Sequence, residues 1–234
     1  MTCKTNIIIA PFDACARTGG PAQSVRAWRE LLGDGYPYTL LSREQGLILP
    51  LLLERNIQKT IRESKVPLVL GGDHSLTYNV LKALTSKLGE VTVVHFDAHH
   101  DAYQGKSLNH YTVFSFVTRR LPVKLVGVGY RHDCEPISGI LPIQIHGPTY
   151  ISLDVDFFSP ILVASVGDPI RCIEGIECNF EAFARSLSMI KGEIVGADIV
   201  EWCGDVASSH ERIFIKKVFD LLLERLNNVE VHTN

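Results

Sequence analysis

The chain has 234 residues, 46% of them hydrophobic and 21% charged, with a formal net charge of −3. Such a chain can bury a sizeable core, so a single domain over 1–234 is expected, and its scattered Lys and Arg residues leave no electrostatic footprint for nucleic acid or an anionic membrane surface. The apolar run near the N-terminus is too short for a signal peptide, no stretch nears the roughly 20 apolar residues of a membrane helix, and six cysteines (Cys3, Cys15, Cys134, Cys172, Cys178, Cys203) read as free thiols of a reducing cytoplasm. Cys172 and Cys178 lie close together, but not at zinc-ribbon spacing.

In chain order, "NIIIA" 6–10 reads as a first strand, followed by a helical pattern over 47–64, a strand "VPLVL" 66–70 and a second helical pattern over 75–88. "VTVVHF" 91–96, "KLVGVG" 124–129 and "YISLDVD" 150–156 continue the series of strands. Residues 130–149, rich in Pro and Gly, leave little room for a connecting helix. Helical patterns over 180–191 and 208–226 flank a last strand, "IVGADIV" 194–200, and "SSHE" 208–211 supplies a capping-box start. Strands this continuously apolar are covered on both faces, which predicts a three-layer α/β/α domain on a largely parallel sheet.

In such sheets ligands bind beyond the C-terminal ends of the strands. Four strand ends there carry Gly71-Gly72-Asp73-His74-Ser75, Asp97-Ala98-His99-His100-Asp101, Asp154-Val155-Asp156 and Glu201. Alternate residues of a strand point the same way, so Asp97, His99 and Asp101 are expected to form one prong and Asp154 and Asp156 another. Four neighbouring carboxylates cannot all ionise unaided, whereas two divalent cations balance their charge. Oxygen-dominated ligands with two imidazoles suit Mn²⁺ better than Zn²⁺. His95 is expected to face a neighbouring layer, His100 to be structural, and His132, His146, His210 and His232 to be surface or structural residues.

"GGDHS" 71–75, "FDAHHD" 96–101, "SLDVD" 152–156 and "GADIVE" 196–201 together resemble the ordered signature of the ureohydrolase superfamily, the arginases and agmatinases. "GGPAQSVR" 19–26 and Arg131 extend the resemblance. It implies an arginase-like fold and two manganese ions per chain. His74, Asp97, Asp101 and Asp154 would hold one ion and His99, Asp97, Asp154 and Asp156 the other, with Asp97 and Asp154 bridging. It also implies attack of a hydroxide on a guanidinium carbon, Glu201 as the guanidinium acceptor and His110, in "LNHYTVF" 108–114, as proton shuttle to the leaving amine. Tyr103 stands where an agmatinase-like D-A-H-x-D-x-Y places a substrate-side tyrosine.

Departures from the pattern bear on the substrate. Ser159 replaces an acid of the usual D-x-D-x-x-D-P, only Gly167 and Pro169 survive of the loop beyond it, and the chain is short for the family. Fewer walls suit a larger substrate, so arginine within a peptide, converted to ornithine, is the expected substrate, with free agmatine the alternative. A zinc deacetylase-like enzyme would not need His74 and Asp101, and a non-catalytic binding protein would be expected to have lost ligands. A homo-oligomer stays open.

Overall fold

A computed structural model describes residues 4–13, 20–166 and 170–228. Cys3, Cys15, Gly19, Gly167, Pro169 and His232 lie outside the described residues. Strands β1 (Thr5–Ile9), β2 (Tyr38–Leu40), β3 (Val66–Leu70), β4 (Val91–Phe96), β5 (Val123–Val128), β6 (Thr149–Asp154) and β7 (Ile194–Val200) form one sheet in the order β2-β1-β3-β7-β6-β4-β5. Every pairing between them is parallel. All strand C-termini therefore share one edge, and β3, β7, β6 and β4 stand side by side at its centre.

Helices cover both faces, giving the three-layer α/β/α architecture. Alternate strand residues Ile7, Ile9, Leu68, Phe96, Leu153 and Ile199 pack against α1 (Val25–Leu32), α5 (Phe180–Met189) and α6 (Ser209–Asn227). Their neighbours Ile8, Val69, Val93 and Tyr150 face α2 (Leu49–Arg62), α3 (Leu76–Leu88) and α4 (Val113–Arg120). Burial of both faces explains why the strands read as unbroken apolar runs. No helix of the described residues is long and apolar enough to cross a membrane.

The strands at 66–70, 91–96 and 194–200 lie where the sequence places them, and 129–148 carries no helix, as expected. Helices α1 and α4 and the edge strand β2 were not foreseen. The first two are only eight residues long and β2 only three, too short for a period to stand out. The sixth strand stops at Asp154, and Val155–Phe157 is a 3-10 turn rather than a continuation. The capping box before α6 is half made: Ser208 accepts from the Glu211 N–H, but the Glu211 carboxylate accepts from Trp202 Nε1 (2.9 Å) and Ala164 N (3.3 Å) instead.

The turn after β3 delivers residues 73–75 to the sheet edge, and Gly72 makes that path available. It has φ +139, and a Cβ there would run into the carbonyl oxygens of Phe12 and Ala10 at the end of β1. Gly72→Ala is therefore expected to destabilise the chain by about 2 kcal/mol or more, read as a shift in a denaturant unfolding curve at unchanged slope. A shift below about 0.5 kcal/mol would show that the turn can relax away from β1.

Candidate metal centre

The central strand ends bring together His74 from the β3 turn, Asp97, His99 and Asp101 after β4, and Asp154 and Asp156 from the end of β6. All six are buried. His74 Nδ1 lies 3.0 Å from Asp101 Oδ2, 3.3 Å from Asp97 Oδ2 and 3.5 Å from Asp154 Oδ2. His99 Nδ1 lies 2.8 Å from Asp156 Oδ2 and 3.4 Å from Asp97 Oδ1. Asp97 thus turns one oxygen to each imidazole.

Strand alternation does not produce this convergence, contrary to the expectation of two prongs. Asp97 and Asp154 are aimed by local turns and Asp156 by a backbone N–H across the strand ends. Asp97 Oδ1 accepts the His99 N–H (2.6 Å), Asp154 Oδ1 accepts the Asp156 N–H (2.9 Å), and Asp156 Oδ1 accepts the Ala98 N–H (2.9 Å) across the strand ends. Short Asx turns of this kind fix carboxylate direction through the backbone. Asp101 sits at φ +46, with its carbonyl accepting the Phe114 N–H at the head of α4 (2.9 Å). The buried Arg131 guanidinium ties the far side of this loop down, donating to the carbonyls of Asp156 (2.7 Å), Gly129 (3.1 Å), Ile170 (3.1 Å) and Phe157 (3.3 Å).

A row of buried polar residues underlies the site. In the sheet register His95 is flanked by Gly127 on β5 and Ser152 on β6, and Ser152 by Asp198 on β7. Asp198 accepts from Thr77 Oγ1 (2.6 Å), Tyr150 Oη (2.7 Å) and Ser152 Oγ (2.8 Å), and Ser152 Oγ stands 3.0 Å from His74 Nε2. Since the single hydroxyl proton of Ser152 goes to Asp198, the oxygen must accept from His74 Nε2–H. Nδ1 is then the nitrogen facing the carboxylates. It is buried and makes no hydrogen bond with the three oxygens around it.

The electrostatics follow from crowding. Against burial, the carboxylates of Asp101, Asp154 and Asp97 hold His74 well above the usual imidazole range. His99 is likewise pushed up to about 12, burial being outweighed by Asp156 and Asp97. Burial and the charge of Asp97 push Asp101 up to about 7, burial with Asp156 and Asp97 raises Asp154 well above the carboxylate range, and burial with Asp97 raises Asp156. Carboxylates that resist ionisation and imidazoles that hold on to a proton both show a site that draws in positive charge. A proton can serve, and so can a metal ion. Ligand atoms of Asp97, His99 and Asp156, and of His74, His95 and Asp97, lie within 4.8 Å of one another, so these residues fit a cation.

Glu201 follows β7 at φ +63, and its Oε1 accepts the His74 N–H (2.8 Å). Burial and the neighbouring Asp73 push its carboxyl up to about 8. Trp202 anchors this strained residue: its ring is fully buried edge-on to Trp28, with centroids 4.6 Å apart, and its Nε1 is held by Glu211. His110 heads the 3-10 turn before α4, its ring tilted against Tyr111 at 3.8 Å. Tyr103 packs on His100 at 4.3 Å and donates its hydroxyl to Asp133 (3.0 Å). Ser159, where an acid was expected, donates its backbone N–H to the Cys178 carbonyl (2.9 Å) and shapes a turn.

His95 departs from its expected place. It is fully buried but reaches into the site, with Nε2 2.7 Å from Asp97 Oδ2. His100 accepts the Ala102 N–H, and His146 and His210 are exposed, in keeping with their structural or surface reading. His132 packs edge-on to His99 at 4.9 Å. His95, Ser152, Asp198 and Tyr150 carried one signal that could have found them: polar residues inside strands that are otherwise apolar on both faces.

The Arginase family model matches residues 44–138, which contain His74, Asp97, His99 and Asp101. The chain is 32% identical over 180 residues to an uncharacterized 32.2 kDa protein of Methanothermus fervidus, covering 65% of this chain and 61% of that one. It is 28% identical over 177 residues to an agmatinase of Bacillus cereus, covering 64% and 60%. It thus matches about three fifths of the length of these relatives. The fold resembles that of a hypothetical agmatinase from Burkholderia thailandensis with a TM-score of 0.78 at 20% identity, covering 97% of this chain and 86% of the other.

Ser152→Ala tests the hydrogen-bonded support of His74. It removes one donor from Asp198 and the acceptor of His74 Nε2–H, both buried, and is expected to cost about 1–3 kcal/mol of stability in denaturant unfolding. A neutral substitution would mean that the Ser152 hydroxyl does not link these groups.

Proposed function

We propose that this chain is a member of the ureohydrolase superfamily of arginases and agmatinases and a single-domain manganese-dependent hydrolase that splits a guanidino group into urea and an amine. The observation that carries the reading is Asp97, whose two oxygens each face a different buried imidazole, an arrangement suited to bridging two cations. His74, Asp97, Asp101 and Asp154 would hold one ion and His99, Asp97, Asp154 and Asp156 the other. Four aspartate charges against two divalent ions give a neutral site. The cations, when bound, bring the pKa of water near neutrality and so supply a nucleophile for the guanidinium carbon.

The chain's own residues do the rest. Glu201, fixed by the His74 N–H, accepts the planar guanidinium through paired N–H bonds, and arrival of that cation favours the ionised carboxylate that burial opposes. His110 passes a proton to the leaving amine, and Tyr103 borders the substrate. The favoured substrate is arginine within a peptide, giving ornithine. Its flanking amides are neutral, so they need no partners for an α-carboxylate and α-ammonium, and the segment 129–148 adds no helix that would wall the strand ends in. Agmatine is the second reading, favoured by the likeness to an agmatinase. A reducing cytoplasm suits the free thiols of Cys134, Cys172, Cys178 and Cys203.

Stripping divalent ions is expected to lower Tm, and Mn²⁺ at 100 times its Kd to restore about 2.7 kcal/mol, read by thermal melts. Asp97→Ala should abolish this recovery together with urea release. Metal analysis giving fewer than one ion per chain after loading with Mn²⁺ would overturn the two-ion reading.

Glu201→Gln keeps the side-chain shape and loses the charge, so kcat/KM for urea release is expected to fall by about 2 kcal/mol or more with metal content unchanged. On the parent chain, kcat/KM for an arginine-containing peptide is expected to exceed that for free arginine at least tenfold, which corresponds to about 1.4 kcal/mol. Faster turnover of agmatine than of any peptide would transfer the assignment to agmatine.

A further inference from the structure

His95 links two groups that its surroundings leave it no freedom to exchange. Its Nε2 lies 2.7 Å from Asp97 Oδ2 and its Nδ1 2.6 Å from the hydroxyl of Tyr130. The imidazole packs tilted against Phe114, with centroids 4.0 Å apart and planes at 37°, and stands edge-on to His74 at 4.9 Å. Tyr130 reaches Nδ1 by folding back over its own strand. Gly127, the register partner of His95 on β5, lacks the side chain that would block this, and a Cβ there would collide with the Tyr130 ring. The glycine, the tyrosine and the histidine thus form one packing unit beside the carboxylate proposed to bridge two cations.

The direction of the hydrogen bonds follows from the donor inventory. A carboxylate that ligates a cation is an acceptor only, so the proton between His95 and Asp97 belongs to Nε2. A neutral imidazole with a proton on Nε2 has a lone pair on Nδ1, and the Tyr130 hydroxyl, 2.6 Å away, donates into it. The chain therefore runs from Tyr130 O–H to His95 Nδ1, and from His95 Nε2–H to Asp97 Oδ2. The carboxylate thus sets the tautomer, and the tyrosine, by bonding Nδ1, sets the angle of the ring; without it the imidazole is free to turn and take Nε2–H out of line with Asp97.

We propose that Tyr130 and His95 are positioning residues for cation binding: the tyrosine fixes the orientation of the histidine ring, and the histidine fixes which lone pairs of Asp97 remain for the ions. The inference rests on the reading of Asp97 as a metal ligand. Partners of this kind, one step removed from a metal, commonly alter affinity 10–100-fold.

The test uses the full-length chain freed of divalent ions by a chelator and titrated with MnCl₂ in a calorimeter, with the His95 ring nitrogens followed by ¹⁵N NMR before metal is added. The parent should show a protonated Nε2 and a bare Nδ1. Tyr130→Phe should keep the proton on Nε2 and weaken Mn²⁺ binding about tenfold or more. His95→Phe, which keeps a ring against Phe114, should weaken it at least as much, and the double variant should lose no more than His95→Phe alone, because the tyrosine acts through the histidine.

A parent tautomer with the proton on Nδ1, Mn²⁺ affinity of Tyr130→Phe within twofold of the parent, or losses that multiply in the double variant would each overturn the proposal. If His95→Phe does not fold, the tautomer of the parent and the Mn²⁺ affinity of Tyr130→Phe decide it alone. A parent that takes up no Mn²⁺ overturns the ligand reading, and this inference with it. A parent that binds while Tyr130→Phe binds equally well overturns only the inference.

Discussion

Asp97, Asp101, Asp154 and Asp156 converge, all buried, where the central strands of a parallel sheet end. Like charges brought this close out of water repel each other and are poorly solvated, a cost of several kcal/mol per ion unless each is matched. Much of the surrounding structure serves to hold them there. The imidazoles of His74 and His99 face them, backbone N–H groups of the turns aim them, and the Arg131 guanidinium closes the loop behind Asp156 through four carbonyl oxygens. A fold that accepts such a cluster gains a site with high affinity for positive charge.

The sheet supplies the second part of the arrangement. Its central strands are packed by helices on both sides, yet one lateral row across β5, β4, β6 and β7 reads Gly127, His95, Ser152 and Asp198 rather than branched aliphatics. Each member has a partner: Tyr130 for His95, His74 and Asp198 for Ser152, and Thr77 and Tyr150 for Asp198. Fully satisfied polar networks in a low-dielectric interior are rigid, because each broken link strands a buried donor or acceptor. This row therefore gives the imidazole of His74 a fixed orientation and a fixed protonated nitrogen.

Glu201 depends on a different support. A glutamate at φ +63 is strained, and its conformation persists because the next residue, Trp202, is locked between Trp28 and Glu211 while Ser24 bonds both the Trp202 carbonyl and the Gly204 N–H. The helix α1 and the loop after β7 are thereby joined, and the carboxylate of Glu201 is set against the turn that carries His74. Binding of the proposed substrate and binding of the proposed cations thus share one backbone segment, residues 72–74.

The sequence by itself determined the fold class and the edge at which chemistry gathers. Unbroken apolar strands require cover on both faces, parallel strands place all their C-termini together, and acids and histidines directly after four strands must then meet. It also marked 130–149 as a segment without a helix, through its prolines and glycines. Only the tertiary structure decided how the carboxylates are aimed, because that depends on turns at Asp97 and Asp154 and on a left-handed Asp101, none of which has a period to detect. It also decided the place of His95. From sequence its side chain could face either layer, and only the gap over Gly127, filled by Tyr130, turns it into a partner of Asp97. Hydrogen bonds between strands far apart in sequence are set by sheet order, and local pattern carries no information about them.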